Sequence, residues 1–307
     1  MDLSLILLYR VGIMLIFILI GIVCFKAKLV TDEGNRSLSN IVLYIVNPVL
    51  VFISFQQNYS PALLTGLGQT LVLSVLGYGV TMLGAYALIR GKSPDLGVER
   101  FAAVYSNCGF MGIPIANALF GARGVFFITA FNVSFNLLVW THGIFTVTGD
   151  KSNMSLRKVV TNPTVLATAA GILCFLVNVK LPPLLTDAAT DIGAVIAPLA
   201  MLVAGVTIAQ TNLRRALKKP RVYLVVTLKL LVLPLVCAVI FALLPVALDE
   251  TVMVTTVLAF ACPSATIGIM LCVIFNKDAD YAAELFAFST LLSVLTLPAV
   301  IFIQSLL

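Results

Sequence analysis

Nine residues of one long apolar segment read Ser106-Asn107-Cys108-Gly109-Phe110-Met111-Gly112-Ile113-Pro114. A proline in a helix removes one hydrogen bond and clashes with the carbonyl four residues before it. A second apolar segment carries a similar stretch, Ala261-Cys262-Pro263-Ser264-Ala265-Thr266-Ile267-Gly268, and its proline follows Pro114 by 149 residues. Backbone groups freed inside a bilayer must be buried or line a cavity. The two stretches therefore predict paired helix breaks that meet near the bilayer midplane.

The composition is that of an integral membrane protein. The 307 residues are 61% hydrophobic and 10% charged, with a mean hydropathy of +1.11, whereas soluble domains carry about 25% charged residues. A spanning helix needs about 20 residues. On that length the sequence predicts an all-α fold of ten spans, at about residues 4–25, 38–57, 62–90, 99–120, 124–148, 162–179, 184–210, 222–247, 252–275 and 281–305.

Basic residues alternate between the connections. The odd-numbered connections hold 15 Lys and Arg, and the even-numbered ones hold only Arg123 and Lys180. Because basic loops stay in the cytoplasm, we expect a multi-pass protein of the plasma membrane with both termini outside. The 15 residues are Lys26, Lys28, Arg36, Arg90, Lys92, Arg100, Lys151, Arg157, Lys158, Arg214, Arg215, Lys218, Lys219, Arg221 and Lys277.

The chain also contains a repeat of about 150 residues. Asn47-Pro48 in the second predicted span and Ala197-Pro198 in the seventh are 150 residues apart, and we interpret Asn47, Pro48 and Pro198 as further helix breaks. Five spans per half make the second half inverted relative to the first, as in many secondary transporters. The predicted division is residues 1–148, a cytoplasmic linker at 149–161, and residues 162–307.

Polar residues near the breaks are the candidate substrate ligands. Half-helix N-termini attract anions, so Asn107 and the local backbone N–H groups are the main candidates. Asn132 and Asn136 share one helix face, and Lys229 either pairs with a substrate carboxylate or extends to the cytoplasmic surface. His142, the only histidine, is either packed or a proton carrier. The remaining candidates are Cys108, Gly109, Pro114, Pro263, Ser264 and Thr266.

Several motifs resemble the auxin efflux carrier family, in the order that the family has them. They are Asn47–Phe52, Ser106–Pro114, Ala197–Gly205, Leu228–Pro234 and Ser289–Pro298. The chain is similar to the compact bacterial members, within a superfamily that includes the bile acid/sodium symporters. The resemblance implies two inverted five-helix repeats with crossed broken helices 4 and 9. It also implies a scaffold of spans 1, 2, 6 and 7, a transport domain of spans 3–5 and 8–10, a homodimer and elevator-type movement.

The function expected from these features is secondary transport of small organic anions, either mono- or dicarboxylates. One alternative is a sodium-coupled organic-anion symporter of the bile-acid type, and another is a non-transporting membrane sensor of a ligand. Na⁺ or H⁺ is the expected coupling ion unless transport is uniport, and membrane lipids surround the protein. No catalytic set, metal cluster or phosphate loop stands out, so we expect no enzyme activity, cofactor, metal or nucleic-acid partner.

Overall fold

The computed structural model describes residues 3–154 and 156–307, and in these ranges the chain is helical with no β-strand. Ser155 of the predicted linker, with Met1 and Asp2, lies outside the described residues. The helices are α1 Leu3–Lys26, α2 Asp32–Ser54, α3 Pro61–Leu88, α4 Leu96–Val104, α5 Cys108–Thr148, α6 Leu156–Val160, α7 Pro163–Leu176, α8 Pro183–Gln210, α9 Leu213–Ala216, α10 Pro220–Ala242, α11 Glu250–Ala261, α12 Ile267–Ile274 and α13 Ala279–Gln304.

Seven of these helices are long and apolar enough to cross a membrane, namely α1, α2, α3, α5, α8, α10 and α13, and α7 and α11 are shorter apolar helices. The helix α5 has 41 residues but contains a sharp bend at Gly121 (φ 59°, ψ −146°). The predicted fourth and fifth spans meet at this glycine. The ten-span inverted repeat itself stays a prediction.

π-helical turns precede three of the prolines. They span Val42–Val46, Cys108–Gly112 and Leu228–Val232, and each ends two residues before Pro48, Pro114 or Pro234. In each case the residue before the proline donates its N–H to the carbonyl five residues back. The wider turn accommodates the proline inside a continuous helix. At Asn47-Pro48, where we expected a break, α2 is therefore distorted but not interrupted.

The helix near Pro198 is distorted in a different way, because the irregular residue, Val195, lies three positions before the proline. The segments Pro183–Ala194 and Ile196–Gln210 are separated only by Val195, which keeps right-handed helical angles. The predicted break is thus one distorted turn within α8. The second half of α8 packs against α1, where a Cβ at Gly21 would collide with the Leu202 carbonyl and one at Gly205 with the Ile18 carbonyl. Small residues that let backbones approach closely are typical of membrane helix packing.

The connections lie at two ends of the helices. We call one end the basic face, made by residues 27–31, 89–95, 149–154, 156–162, 211–219 and 275–278. The other, the opposite face, is made by residues 55–60, the Gly121 turn, and residues 177–182 and 243–249. At the basic face Gln210 donates to Asp32 (2.7 Å) and Arg221 pairs with Glu99. At the opposite face Arg123 pairs with Asp249.

Candidate functional site

The two interrupted helices meet, as the sequence predicts. Ser106 and Ser264 form an isolated antiparallel β-bridge. Asn107 N donates to Pro263 O at 2.7 Å, and Ala265 N donates to Tyr105 O at 3.0 Å. We call residues 105–107 and 262–265 the crossing. Its backbone hydrogen bonds show how the groups freed from the helices are satisfied inside the protein.

Four helix ends converge on the crossing. The helices α4 and α11 end there, and α5 and α12 begin there. The first N–H groups of a helix have no partner within the helix, and they carry partial positive charge. Within the described residues, no hydrogen bond occupies the side-chain amide of Asn107, which is 6% exposed. The crossing thus presents backbone and amide donors that suit an anion.

Asn132 and Asn136 extend this polar surface along α5. Cys108 Sγ lies 3.2 Å from Asn132 Oδ1, and Asn136 Nδ2 donates to Asn132 O at 2.8 Å. Asn162, at the start of α7, donates from Nδ2 to Asn136 Oδ1 at 3.2 Å. This ladder of contacts, from Cys108 through Asn132 and Asn136, ends at Asn162, which was not among the predicted residues. Asparagine is common at helix N-caps, so its presence at position 162 indicates capping and nothing more.

Gly109 lies where this ladder faces α2. A Cβ placed on Gly109 would be 4.0 Å from both Asn132 Oδ1 and Asn47 Nδ2. Asn47 Nδ2 donates to Thr164 Oγ1 at 3.2 Å, while its buried Oδ1 has no hydrogen-bond partner among the described residues. Asn47, predicted as part of a helix break, therefore contributes amide atoms to the surroundings of Gly109.

The other candidates lie around this centre. Ser264 is 2% exposed, its hydroxyl donates to Ala102 O at 2.9 Å, and its N–H donates to Ser289 Oγ at 3.1 Å. These hydrogen bonds indicate that Ser264 stabilises the crossing.

The last two candidates lie near the starts of α12 and α5. Thr266 is half-buried and caps no helix N–H with its side chain. Pro114 is buried in α5, just after the π-helical turn. Sequence reasoning missed Ser106, whose hydroxyl donates to Phe260 O at 3.2 Å.

Lys229 does not extend to the surface. Its side chain is 1% exposed, and Nζ donates to Ser106 Oγ and to Phe260 O, the latter at 3.1 Å. The alternative in which Lys229 reaches the cytoplasmic surface is therefore wrong. The reason is geometric, because the π-helical turn Leu228–Val232 directs this residue into the protein beside the crossing.

His142 is joined to the crossing through Tyr105. The Tyr105 hydroxyl donates to Leu138 O at 3.0 Å and lies 2.9 Å from His142 Nδ1. Tyr86 OH lies 3.5 Å from His142 Nε2. These contacts favour the packed interpretation of the histidine.

An ion-pair network with two buried carboxylates lies at the basic face, and their burial was not predicted from the sequence. Glu99 and Glu284 are each 1% exposed. Arg221 pairs with Glu99, and Lys219 Nζ pairs with Glu284 at 2.6 Å. The pKa of Asp95 is raised, mainly by its partial burial and to a smaller extent by the nearby negative charges of Asp278 and Glu99. The network joins α4, α10 and α13 at the basic face.

Comparisons with known proteins show the family of this chain. A family model described as "Membrane transport protein" matches residues 6–153 and 150–301. An "Uncharacterized transporter" of Methanothermobacter thermautotrophicus is 25% identical over 92% of this chain and 94% of its own. A "Putative malonate transporter" of Rhizobium meliloti is 25% identical over 90% of each chain. The chain belongs to the membrane transport protein family whose auxin efflux carrier-like motifs its sequence carries.

Proposed function

We propose that the protein is a secondary carrier of small organic anions, with the substrate bound at the crossing. The observation that carries the proposal is that two interrupted helices meet, so that the N-terminal ends of α5 and α12 and the side-chain amide of Asn107 lie at the crossing. Discontinuous helices whose half-helix N-termini point at an anionic group are the binding sites of several secondary transporters. Gly109, Asn132 and Asn136 complete the proposed pocket.

Mono- and dicarboxylates are the proposed substrate class. A carboxylate accepts several hydrogen bonds from N–H donors and needs no metal to be held. The name of the Rhizobium meliloti relative makes malonate the first member to test. Asn amides bind a carboxylate without adding charge, and Lys229 supplies one fixed positive charge behind Ser106.

The proposal includes ten spans in two inverted repeats, 1–148 and 162–307, joined by the 149–161 linker. Three observations support it. The bend at Gly121 divides α5 into two spans, and α4 with the start of α5, like α11 with α12, makes one interrupted span. The family model matches two successive segments. Connections predicted to share a side contact each other, as Gln56 and Leu181 do at 2.9 Å.

The orientation in the plasma membrane, with the basic face in the cytoplasm and both termini outside, belongs to the same proposal. So do elevator-type movement and a homodimer. Spans 1, 2, 6 and 7, the proposed scaffold, pack together through Gly21 and Gly205 and through the bond between Asn47 and Thr164. The bond between Asn162 and Asn136 joins this scaffold to the proposed transport domain and would have to break during movement.

Thermal unfolding in detergent tests binding directly. We expect malonate and related carboxylates to raise the unfolding temperature of the wild type and of Asn58→Ala, an exposed asparagine of the opposite face. Asn107→Ala removes a side-chain donor to the anion, which weakens binding by about 1.5–3 kcal/mol, and its shift should shrink accordingly. Wild-type protein that no carboxylate stabilises would refute the proposed substrate class.

The alternatives predict other outcomes of flux measurements. A symporter of the bile-acid type would take up organic anions only with sodium present. A ligand sensor would bind a carboxylate without moving it across the bilayer. Uptake into proteoliposomes therefore separates all three functions.

A further inference from the structure

Lys229 is a buried positive charge without an acidic partner. Its ammonium contacts two neutral oxygens, Ser106 Oγ and Phe260 O. Among the ion pairs formed by residues 3–154 and 156–307, none includes Lys229. Because an unpaired charge in the protein interior is costly, a group of opposite polarity must stabilise it.

The end of α11 supplies that polarity. Phe260 belongs to the last turn of Glu250–Ala261, which stops at the crossing. The C-terminal end of a helix carries about half a negative charge on its unpaired carbonyls. Ser106 Oγ donates to the same carbonyl, so the hydroxyl, the carbonyl and the ammonium form one cluster.

The same oxygens are of the kind that bind a coupling cation. In carriers with discontinuous helices, carbonyls at half-helix C-terminal ends coordinate Na⁺. We infer that Lys229 is a built-in cation of the crossing, which takes the place of Na⁺ and makes the carrier independent of sodium. Lys229 acts as a positioning residue, because it holds Ser106 and the end of α11 rather than the substrate.

This inference rests on the proposed function, since a coupling cation has meaning only in a carrier, but its main test needs no transport. Lys229→Ser removes the charge and leaves room and a hydroxyl for a small cation. Lys229→Met removes the charge and keeps most of the volume. Thermal unfolding of both variants and of the wild type is compared in NaCl and in choline chloride at equal concentration.

We expect the wild type to unfold at the same temperature in both salts. Both variants should unfold at lower temperature than the wild type in choline chloride. Sodium at about ten times its dissociation constant should raise the midpoint of Lys229→Ser by about 2 °C, and it should leave Lys229→Met unchanged. A folded Lys229→Ser that ignores sodium, or a wild type that sodium stabilises, would overturn the inference.

Malonate uptake by wild-type proteoliposomes keeps the two claims separate, and it still decides the inference where Lys229→Ser does not fold. Equal uptake in NaCl and choline chloride supports the built-in cation. Uptake that occurs only with sodium overturns it and leaves the carrier function intact. Absence of uptake of malonate and of every other small carboxylate refutes the carrier function, and the unfolding data then decide whether Lys229 occupies a cation site.

Discussion

At the scale of single residues, the side chains that matter are amides and glycines around one pair of helix breaks. The stretches 106–114 and 261–268 predicted two breaks that meet, because proline interrupts a membrane helix and the two prolines are 149 residues apart. The position of Lys229 was not predictable from its distance to the span end. Its direction depends on a π-helical turn, which shifts the helix face that a residue occupies.

A substitution at Gly109 tests whether the substrate binds at the surface formed by Asn132 and Asn47. A Cβ at this position makes only ordinary contacts, so the backbone accepts a side chain, but the leucine of Gly109→Leu would fill the space between Asn132 and Asn47. We expect uptake of malonate to fall to the level of empty liposomes while thermal unfolding stays cooperative. Gly79→Leu, on the exposed side of α3, is the matched control and should transport normally. Normal uptake by Gly109→Leu would place the substrate elsewhere.

A substitution at Gly121 tests whether the bend in α5 requires a glycine. Its angles, φ 59° and ψ −146°, belong to a region that side chains other than glycine hardly adopt. Gly121→Ala should therefore destabilise the protein by about 1–3 kcal/mol, although no atom lies within 4 Å of the added Cβ. The measurement is the free energy of unfolding in detergent, with Gly79→Ala as the control. An equal effect of both substitutions would contradict the strained backbone.

At the scale of elements, prolines have two different effects that look alike in the sequence. Pro48 and Pro234 follow π-helical turns and lie in continuous helices, whereas Pro263 lies in the non-helical crossing. The difference comes from the neighbours, because residues 262–265 find backbone partners in residues 105–107 of another helix. A single sequence does not reveal such partners, so the paired position of the breaks was the informative signal and proline alone was not.

The basic-face network predicts a difference between two ion pairs. Glu99 is buried, and Arg221→Gln leaves its carboxylate without the charge partner, which costs about 3–5 kcal/mol because the buried charge is then uncompensated. Arg123 and Asp249 form an exposed pair, and Arg123→Gln should cost about 0–1 kcal/mol. Unfolding free energies of the two variants check the prediction. Equal losses would mean that Glu99 is solvated in the membrane-bound protein.

At the scale of the whole molecule, composition predicted a helical membrane protein, and the long apolar helices and the family match confirm it. The packing of α1 on α8 and the ladder from Cys108 to Asn162 could not be predicted, since both depend on contacts between residues far apart in the chain. The buried acids Glu99 and Glu284 lie near the starts of α4 and α13. Their burial depends on the arrival of Arg221 and Lys219 from another helix.

Cysteine labelling tests the predicted orientation. Lys180→Cys on the opposite face should react with a membrane-impermeant maleimide added to intact cells. Lys92→Cys on the basic face should react only after the cells are permeabilised, because basic connections stay in the cytoplasm. Both positions are exposed, and the unsubstituted protein gives the background from its native cysteines. The reverse pattern would invert the topology.

Uptake of radiolabelled malonate into proteoliposomes tests the central claim, that this protein carries organic anions through a site at the crossing. We predict uptake above empty liposomes for the wild type and for Asn58→Ala. For Asn107→Ala we predict uptake reduced about tenfold or more at substrate concentrations below saturation. Wild-type uptake that Asn107→Ala leaves unchanged would contradict the site, and absence of uptake of any small carboxylate by the wild type would contradict the carrier.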